Sequence, residues 1–177
     1  SLDVTERVES AMAVRASEAT LNAVLEALPV GVLIADQNGA LQRDNAAHRE
    51  LWGVSPQTTS WTQYDEWIGY WPDTGERIKS HEWAMARAIL SGEVVRGELV
   101  EFQPFGSDQR RYFLNNAAPV HDGEGRIIAG VVADMHVTPH RHAEQALRES
   151  EARFRQLADS MPQLIWTARP DGYLDYF

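Results

Sequence analysis

Pro29-Val30-Gly31-Val32-Leu33-Ile34-Ala35-Asp36-Gln37-Asn38-Gly39 is a proline, an apolar run and a polar turn that closes on glycine. Val30–Ala35 has the length of a short buried strand, and Asp36–Gly39 is a hairpin turn into a second strand near residues 40–43. The same plan returns at Pro162-Gln163-Leu164-Ile165-Trp166-Thr167-Ala168-Arg169-Pro170-Asp171-Gly172. Asp3 to Leu41 is in fact echoed without a gap by His136 to Leu174. Thr5 falls on Thr138, Ser17-Glu18-Ala19 on Ser150-Glu151-Ala152, Pro29 on Pro162 and Gly39 on Gly172, at a constant offset of 133. Solenoid repeats run to roughly 20–50 residues, so this offset is the length of one compact domain plus a helical connector. The chain therefore reads as an N-terminal connector helix over 1–28, a complete module over 29–138, a C-terminal connector over 139–161 and the truncated start of a second module over 162–177. That is the plan of a serial signalling protein rather than of a self-contained enzyme.

Outward from the hairpin, Thr5 is the expected N-cap of the first helix, with Glu6 and Glu9 near its positive end. That helix stops before Pro29, and its last third carries Leu21, Val24, Leu25 and Leu28, the spacing of a helix that packs on something. Asn45–Trp52 reads as a short helix stopped by Gly53. Residues 54–79 are turn-rich and crowded with aromatics, among them Trp61, Tyr64, Trp67, Tyr70 and Trp71. A helix capped by Ser80 then runs through Trp83, Met85 and Ile89 to Gly92. Three long strands complete the module over 94–105, 110–120 and 126–137, joined by glycine-containing hairpin turns. The fold class this implies is α+β, with one five-stranded antiparallel sheet and short helices on one face.

Composition narrows the function classes. The 177 residues, 44% of them hydrophobic, suffice for one core. A formal net charge of −10, with no basic cluster, excludes nucleic acid as an expected partner. No apolar run reaches the ~20 residues of a membrane span, so no membrane contact is expected of this stretch and a cytoplasmic setting is. The absence of cysteine removes disulfides, thiolate metal sites and cysteine nucleophiles together.

In their order and spacing, Gly31-Val32-Leu33-Ile34-Ala35-Asp36, Gly39, Asn45, Ala47, Leu51 and Gly53, then Ala117-Ala118-Pro119-Val120, Asp122, Gly125, Gly130 and Val137-Thr138, resemble a PAS domain with its C-terminal PAC part. The resemblance covers residues 29–138 and implies a PAS fold in a bacterial multi-domain sensor protein. Met161-Pro162-Gln163-Leu164-Ile165-Trp166, with Pro170-Asp171-Gly172-Tyr173, is similar to PAS domains that lie just before histidine kinase catalytic regions. What this implies is a histidine kinase parent in a two-component system, with neighbouring PAS and kinase domains as partners. The family's exit motif is Asp-Ile-Thr, whose aspartate ties the last strand to the connector. Asp3-Val4-Thr5 fits it, so residues 1–5 read as the end of an earlier domain, whereas His136-Val137-Thr138 has a histidine at the acidic position. His136 and Thr138 are accordingly signal-relay candidates. With a pKa near about 6.5, His136 either makes connector docking depend on pH or simply points into solvent.

In the C-terminal connector, Leu147, Phe154 and Met161 form one heptad column, and Ala143, Ser150 and Leu157 a weaker one. The reading is a parallel homodimer along both connectors, with Leu21, Val24, Leu25 and Leu28 as interface candidates and Leu147, Phe154 and Leu157 as relay candidates. The alternative is a helix packed on its own domain.

No catalytic constellation is present: there is no Gly-x-Ser-x-Gly elbow, phosphate-cradling loop or His-Glu-x-x-His motif. His136, His140 and His142 lack a carboxylate that would complete a metal set. The expectation is no cofactor and no metal. The position of His81, on the helix before the long strands, offers an axial ligand to haem by analogy with haem-binding relatives, and a flavin–cysteine adduct is impossible without cysteine. For a possible small-molecule ligand, the pocket candidates are Trp67, Trp71, Trp83, Met85, Ile89, Phe113, Asn115 and Gly130. Asn115 shares a strand face with Phe113 and Ala117, and either orients a ligand or satisfies a buried backbone group. The tryptophans either line that site or form the lid of the core.

Overall fold

The computed structural model describes residues 2–54 and 56–160. Residues 161–177, which include Met161 and the expected second module, lie outside the described residues. Ten helices and strands follow in order: α1 Leu2–Ala27, β1 Gly31–Asp36, β2 Leu41–Asp44, α2 Ala46–Trp52, β3 Ile68–Tyr70, α3 Ala84–Ser91, β4 Val95–Gln103, β5 Arg111–His121, β6 Ile127–His136 and α4 Thr138–Ser160. The strands form one antiparallel sheet in the order β2-β1-β6-β5-β4-β3.

The sheet has six strands rather than the expected five. The added strand, β3, pairs Ile68, Gly69 and Tyr70 with Gln103, Phe102 and Glu101. Three residues are too few to show a two-residue alternation, which is why the stretch reads as irregular. Gly69 is where the fold needs its glycine, because a Cβ there would stand 2.4 Å from the Trp83 ring. The aromatic segment before β3 is a 3-10 turn over Trp61–Glu66, held on the first hairpin by Trp61 N donating to Asn38 O (3.0 Å) and Tyr64 Oη donating to Gly39 O (2.9 Å).

Two helix starts also differ from expectation. Thr5 lies inside α1, which begins at Leu2, because nothing in Leu2-Asp3-Val4 opposes a helical backbone. Ser80 does not cap α3. Its N–H donates to Asp65 Oδ1 (2.8 Å) and its hydroxyl to Thr62 O (3.1 Å), so the residue is spent on the neighbouring 3-10 turn. Trp83 is extended, and α3 starts one residue later. By contrast, Asn45 caps α2 by accepting from His48 N (3.0 Å), and Gly53 closes it.

One face of the sheet holds the core. Along β5 the buried positions alternate as Phe113, Asn115 and Ala117; along β6 they are Gly130, Val132 and Asp134. Trp52 sits at the centre, with ring centroids 4.7 Å from both Trp67 and Phe102 and 5.7 Å from Phe113. The C-terminal end of α1 is tied down: Asn45 Nδ2 donates to Leu25 O (2.8 Å), and Glu26 Oε2 accepts from Ala46 N (3.0 Å) and Arg49 (2.9 Å). Leu25 is half-buried, while Leu21, Val24 and Leu28 are exposed in the single chain. At the other end the Thr138 hydroxyl accepts from Tyr112 N and donates to Tyr112 O (3.2 Å). Thr138 is thus a buried anchor on β5. Taken by itself, α4 is an exposed helix with Leu147 at 61%, Phe154 at 75% and Leu157 at 61% exposure.

Candidate functional site

α2 and the centre of the sheet line a mostly apolar pocket beneath Trp52 into which a few polar side chains reach. The burying face of α2 carries His48, Leu51 and Trp52, an i, i+3, i+4 set on a two-turn helix. From the sheet come Asn115 and Asp134, which stand directly opposite each other in the β5–β6 register. With Trp83, these polar side chains line a cavity of about 40 Å³ whose apolar walls include Leu33, Met85, Phe113 and Val132.

Asn45 builds the frame. Its Oδ1 accepts from Val32 N (2.8 Å) and His48 N, and its Nδ2 donates to Leu25 O and Val30 O (2.9 Å). All four hydrogen-bonding positions of that amide are used, joining the end of α1, β1 and α2 at one point.

Inside the frame satisfaction stops. His48 is 1% exposed and Asp134 4%, and their nearest approach, Nδ1 to Oδ2, is 3.9 Å, too long for a direct hydrogen bond. Asp134 Oδ2 accepts from Trp52 Nε1 at 3.4 Å. His48 Nδ1 and Nε2, Trp83 Nε1, Asn115 Oδ1 and Asp134 Oδ1 have no hydrogen-bond partner among the described residues. Burial is the main cause of both ionisation shifts: it pushes the Asp134 carboxyl up to about 7 and the His48 imidazole down to about 4. Removal from water disfavours a charge on either group. The resident forms at neutral pH are therefore an uncharged histidine and a carboxyl poised between its two states.

Of the sequence-derived pocket residues, Trp67, Trp83, Met85, Phe113 and Asn115 line this cavity. Trp71 is half-buried beside the core, and Gly130 and Ile89 are not part of the lining. Gly130 leaves no free space beside it, since a Cβ there would stand 2.6 Å from Met85 Sδ and 2.8 Å from Ile89 Cγ2. His81 is exposed on its 3-10 turn, outside the lining, so the ring is not placed to ligate a haem in the core. Ligand pockets for drug-sized molecules measure ~300–1,000 Å³, and the cavity as packed fits neither haem nor flavin. Among the described residues no group of three His, Asp or Glu converges as a metal site.

His48 and Asp134 were not among the expected site residues, although a signal existed. Alternation counted from Gly130 puts Val132 and Asp134 on the core face of β6, and the spacing of Leu51 and Trp52 puts His48 on the core face of α2. His136, at the end of β6, is exposed; partial burial and the Arg111 guanidinium lower its pKa. It borders a surface groove with Glu50, Arg111 and Asp134.

Residues 19–88 match the family model for the PAS domain. The chain is 29% identical to the uncharacterized protein y4lL of Sinorhizobium fredii, over 99% of this chain but only 20% of that protein. It thus spans about a fifth of the length of that relative. Among solved structures, an RNA-binding light-oxygen-voltage receptor superposes with a TM-score of 0.54 at 18% identity, covering 76% of this chain and 37% of that one. The PAS domain of the fruit-fly ELK potassium channel gives 0.51 at 12%, covering 68% and 96%. A PAS domain from Colwellia psychrerythraea gives 0.50 at 10%, covering 68% and 97%. Family match and fold agree: residues 19–88 match the PAS domain model, and the sheet with its helices has the PAS fold. Among the described residues no helix is long and apolar enough to cross a membrane.

Proposed function

We propose that the chain is a sensory and dimerisation module of a cytoplasmic bacterial signalling protein, passing a conformational change from its sheet to α4 and on to a histidine kinase output. The observation that carries this reading is the exit of the domain. β6 runs through the buried Thr138 anchor directly into a helix on which Leu147, Phe154 and Leu157 are exposed. Large apolar side chains repeating at heptad spacing are covered most simply by a second copy of the same helix. Ala143 and Ser150 weaken the second column, which keeps two packings close in energy and lets a small change at the sheet shift their populations. The kinase output rests on the resemblance of residues 161–173 to PAS domains that precede kinase catalytic regions.

Sedimentation of the chain at tens of micromolar tests the dimer, and Leu147→Glu should shift it to monomer. A wild-type monomer would overturn the association. In the full-length parent, incubation with labelled ATP should phosphorylate the protein, and Leu147→Glu should alter the level. A parent that takes up no phosphate has a different output. The rival reading, a spacer that holds dimer geometry and senses nothing, draws on the small size of the core cavity. It predicts a dimer whose output no stimulus changes.

A further inference from the structure

The core of this domain contains a carboxyl and an imidazole that approach to 3.9 Å beside a mostly apolar space of about 40 Å³, with five polar atoms around it that have no hydrogen-bond partner among the described residues. Such groups are destabilising when nothing satisfies them. A buried water needs about 10–15 Å³ of such space, so the cavity has room for two or three waters and no metabolite. Water can bridge His48 to Asp134, but it cannot neutralise a charge on either. What changes the charge of either group is a proton.

We propose that Asp134 and His48 form a proton-binding site, and that proton release from it alters the Trp52–Asp134 link between α2 and β6, so that the stimulus sensed by the domain is pH. This deepens the sensory reading above and rests on it for its consequence, though not for the proton binding itself. The link matters because Asp134 lies four positions before Thr138 on the strand that enters α4. A protonated Asp134 is the neutral acceptor of a long bond from Trp52. An ionised one is a buried anion that draws the indole N–H closer.

Charged neighbours do not dominate the pair. Around His48 stand Asp44, which raises its pKa, and Arg49, which lowers it, both smaller effects than burial. Arg49 is itself paired to Asp44 and Glu26. Glu50, Arg111 and His136 border the groove on the other side of Asp134. Asn115 faces it from β5 and Trp83 from the approach to α3, while Arg87 of α3 is paired to Glu93 and Glu98 outside the cavity lining.

The signs make the proposal testable. In the unfolded chain an ordinary aspartate ionises first, and between about pH 4 and 6.5 the single proton of the pair sits on the histidine. In the fold, burial reverses the order and the proton sits on Asp134. A raised carboxyl pKa contributes stability that is lost as pH rises from about 4 to 7; a lowered imidazole pKa contributes stability that is gained between about 4 and 6.5. The two slopes cancel in the native chain. Removing either group should expose the other.

Urea unfolding of the full chain from pH 4.5 to 6.5 reads this out. Relative to wild type, Asp134→Asn should gain up to about tenfold in folding equilibrium constant per pH unit, and His48→Gln should lose up to about tenfold per unit. Opposite slopes support the site; parallel curves for all three proteins overturn it. A measurement without substitutions guards against a variant that fails to fold. The side-chain carboxyl carbon of Asp134 should titrate by NMR between pH 6 and 8, with the Trp52 indole N–H moving alongside. Titration of Asp134 below pH 5, or an unmoved Trp52, overturns the proposal. Sedimentation is independent of both readouts, so a failed dimer and a failed proton site are told apart.

Discussion

Asn45 is the residue on which the most local structure depends, because one amide meets four backbone groups from α1, β1 and α2. Asn45→Ala removes the cap of α2 and strands Val32 N and Val30 O in a buried setting. A lost cap costs ~1 kcal/mol and each stranded buried group ~1–3, so the expected loss is about 3 kcal/mol by urea unfolding. A loss below about 1 kcal/mol would mean that water replaces the amide. Gly130 makes a different demand, for space. Gly130→Ala drives a methyl into Met85 Sδ and Ile89 Cγ2, for an expected overpacking cost of about 1–3 kcal/mol. In a Met85→Ala background the same change should cost less, since the collision is gone; strict additivity would argue against that contact.

At the scale of elements, the junction of β6 with α4 is held by a hydroxyl rather than by a carboxylate. Thr138→Val removes both side-chain bonds to Tyr112 while keeping the shape, and should cost about 1–2 kcal/mol. It should also speed amide exchange over residues 138–141; Thr138→Ser should restore both. Two positions earlier, His136 borders a groove shared with Arg111. His136→Asp gives that guanidinium a carboxylate partner and should slow exchange across 138–146. Unchanged exchange would show that position 136 has no part in the junction. The N-terminal side is built otherwise, with Glu26 and Leu25 of α1 bonded onto α2 through Arg49, Ala46 and Asn45.

For the whole molecule, the question is what covers the apolar positions that one copy leaves open. These include Leu21 and Val24 on α1, Val120, Ile128 and Met135 on the sheet, and Leu147, Phe154 and Leu157 on α4. If α4 is the seam, a chain ending at residue 138 keeps the complete sheet and should sediment as a monomer where the longer chain dimerises. A dimer of the shorter chain would move the interface to α1 or the sheet. The elements themselves were legible from residues alone where the signal is local. A proline, an apolar run and a polar turn specify β1 and its hairpin; Asn45 and Gly53 bracket α2; alternation marks β4, β5 and β6. Those signals depend only on neighbours in the chain.

Tertiary structure decided what local signals cannot carry. β3 exists because β4 offers an edge and Gly69 lets Trp83 pass, not because three residues prefer a strand. Ser80 left its helix because Asp65 and Thr62, distant in sequence, were closer in space. The candidate site shows the same division. Asn115 was legible by counting along one strand, but its pairing with Asp134 is a matter of register between strands, and His48 joins them only when α2 closes over the sheet. Sequence by itself determined β1 with its hairpin, α2 and the three long strands, since those follow from the chain's own spacing. The state of its buried acid was settled by folding, because a pKa answers to the dielectric and the partners around a group, and only the packed core supplies them.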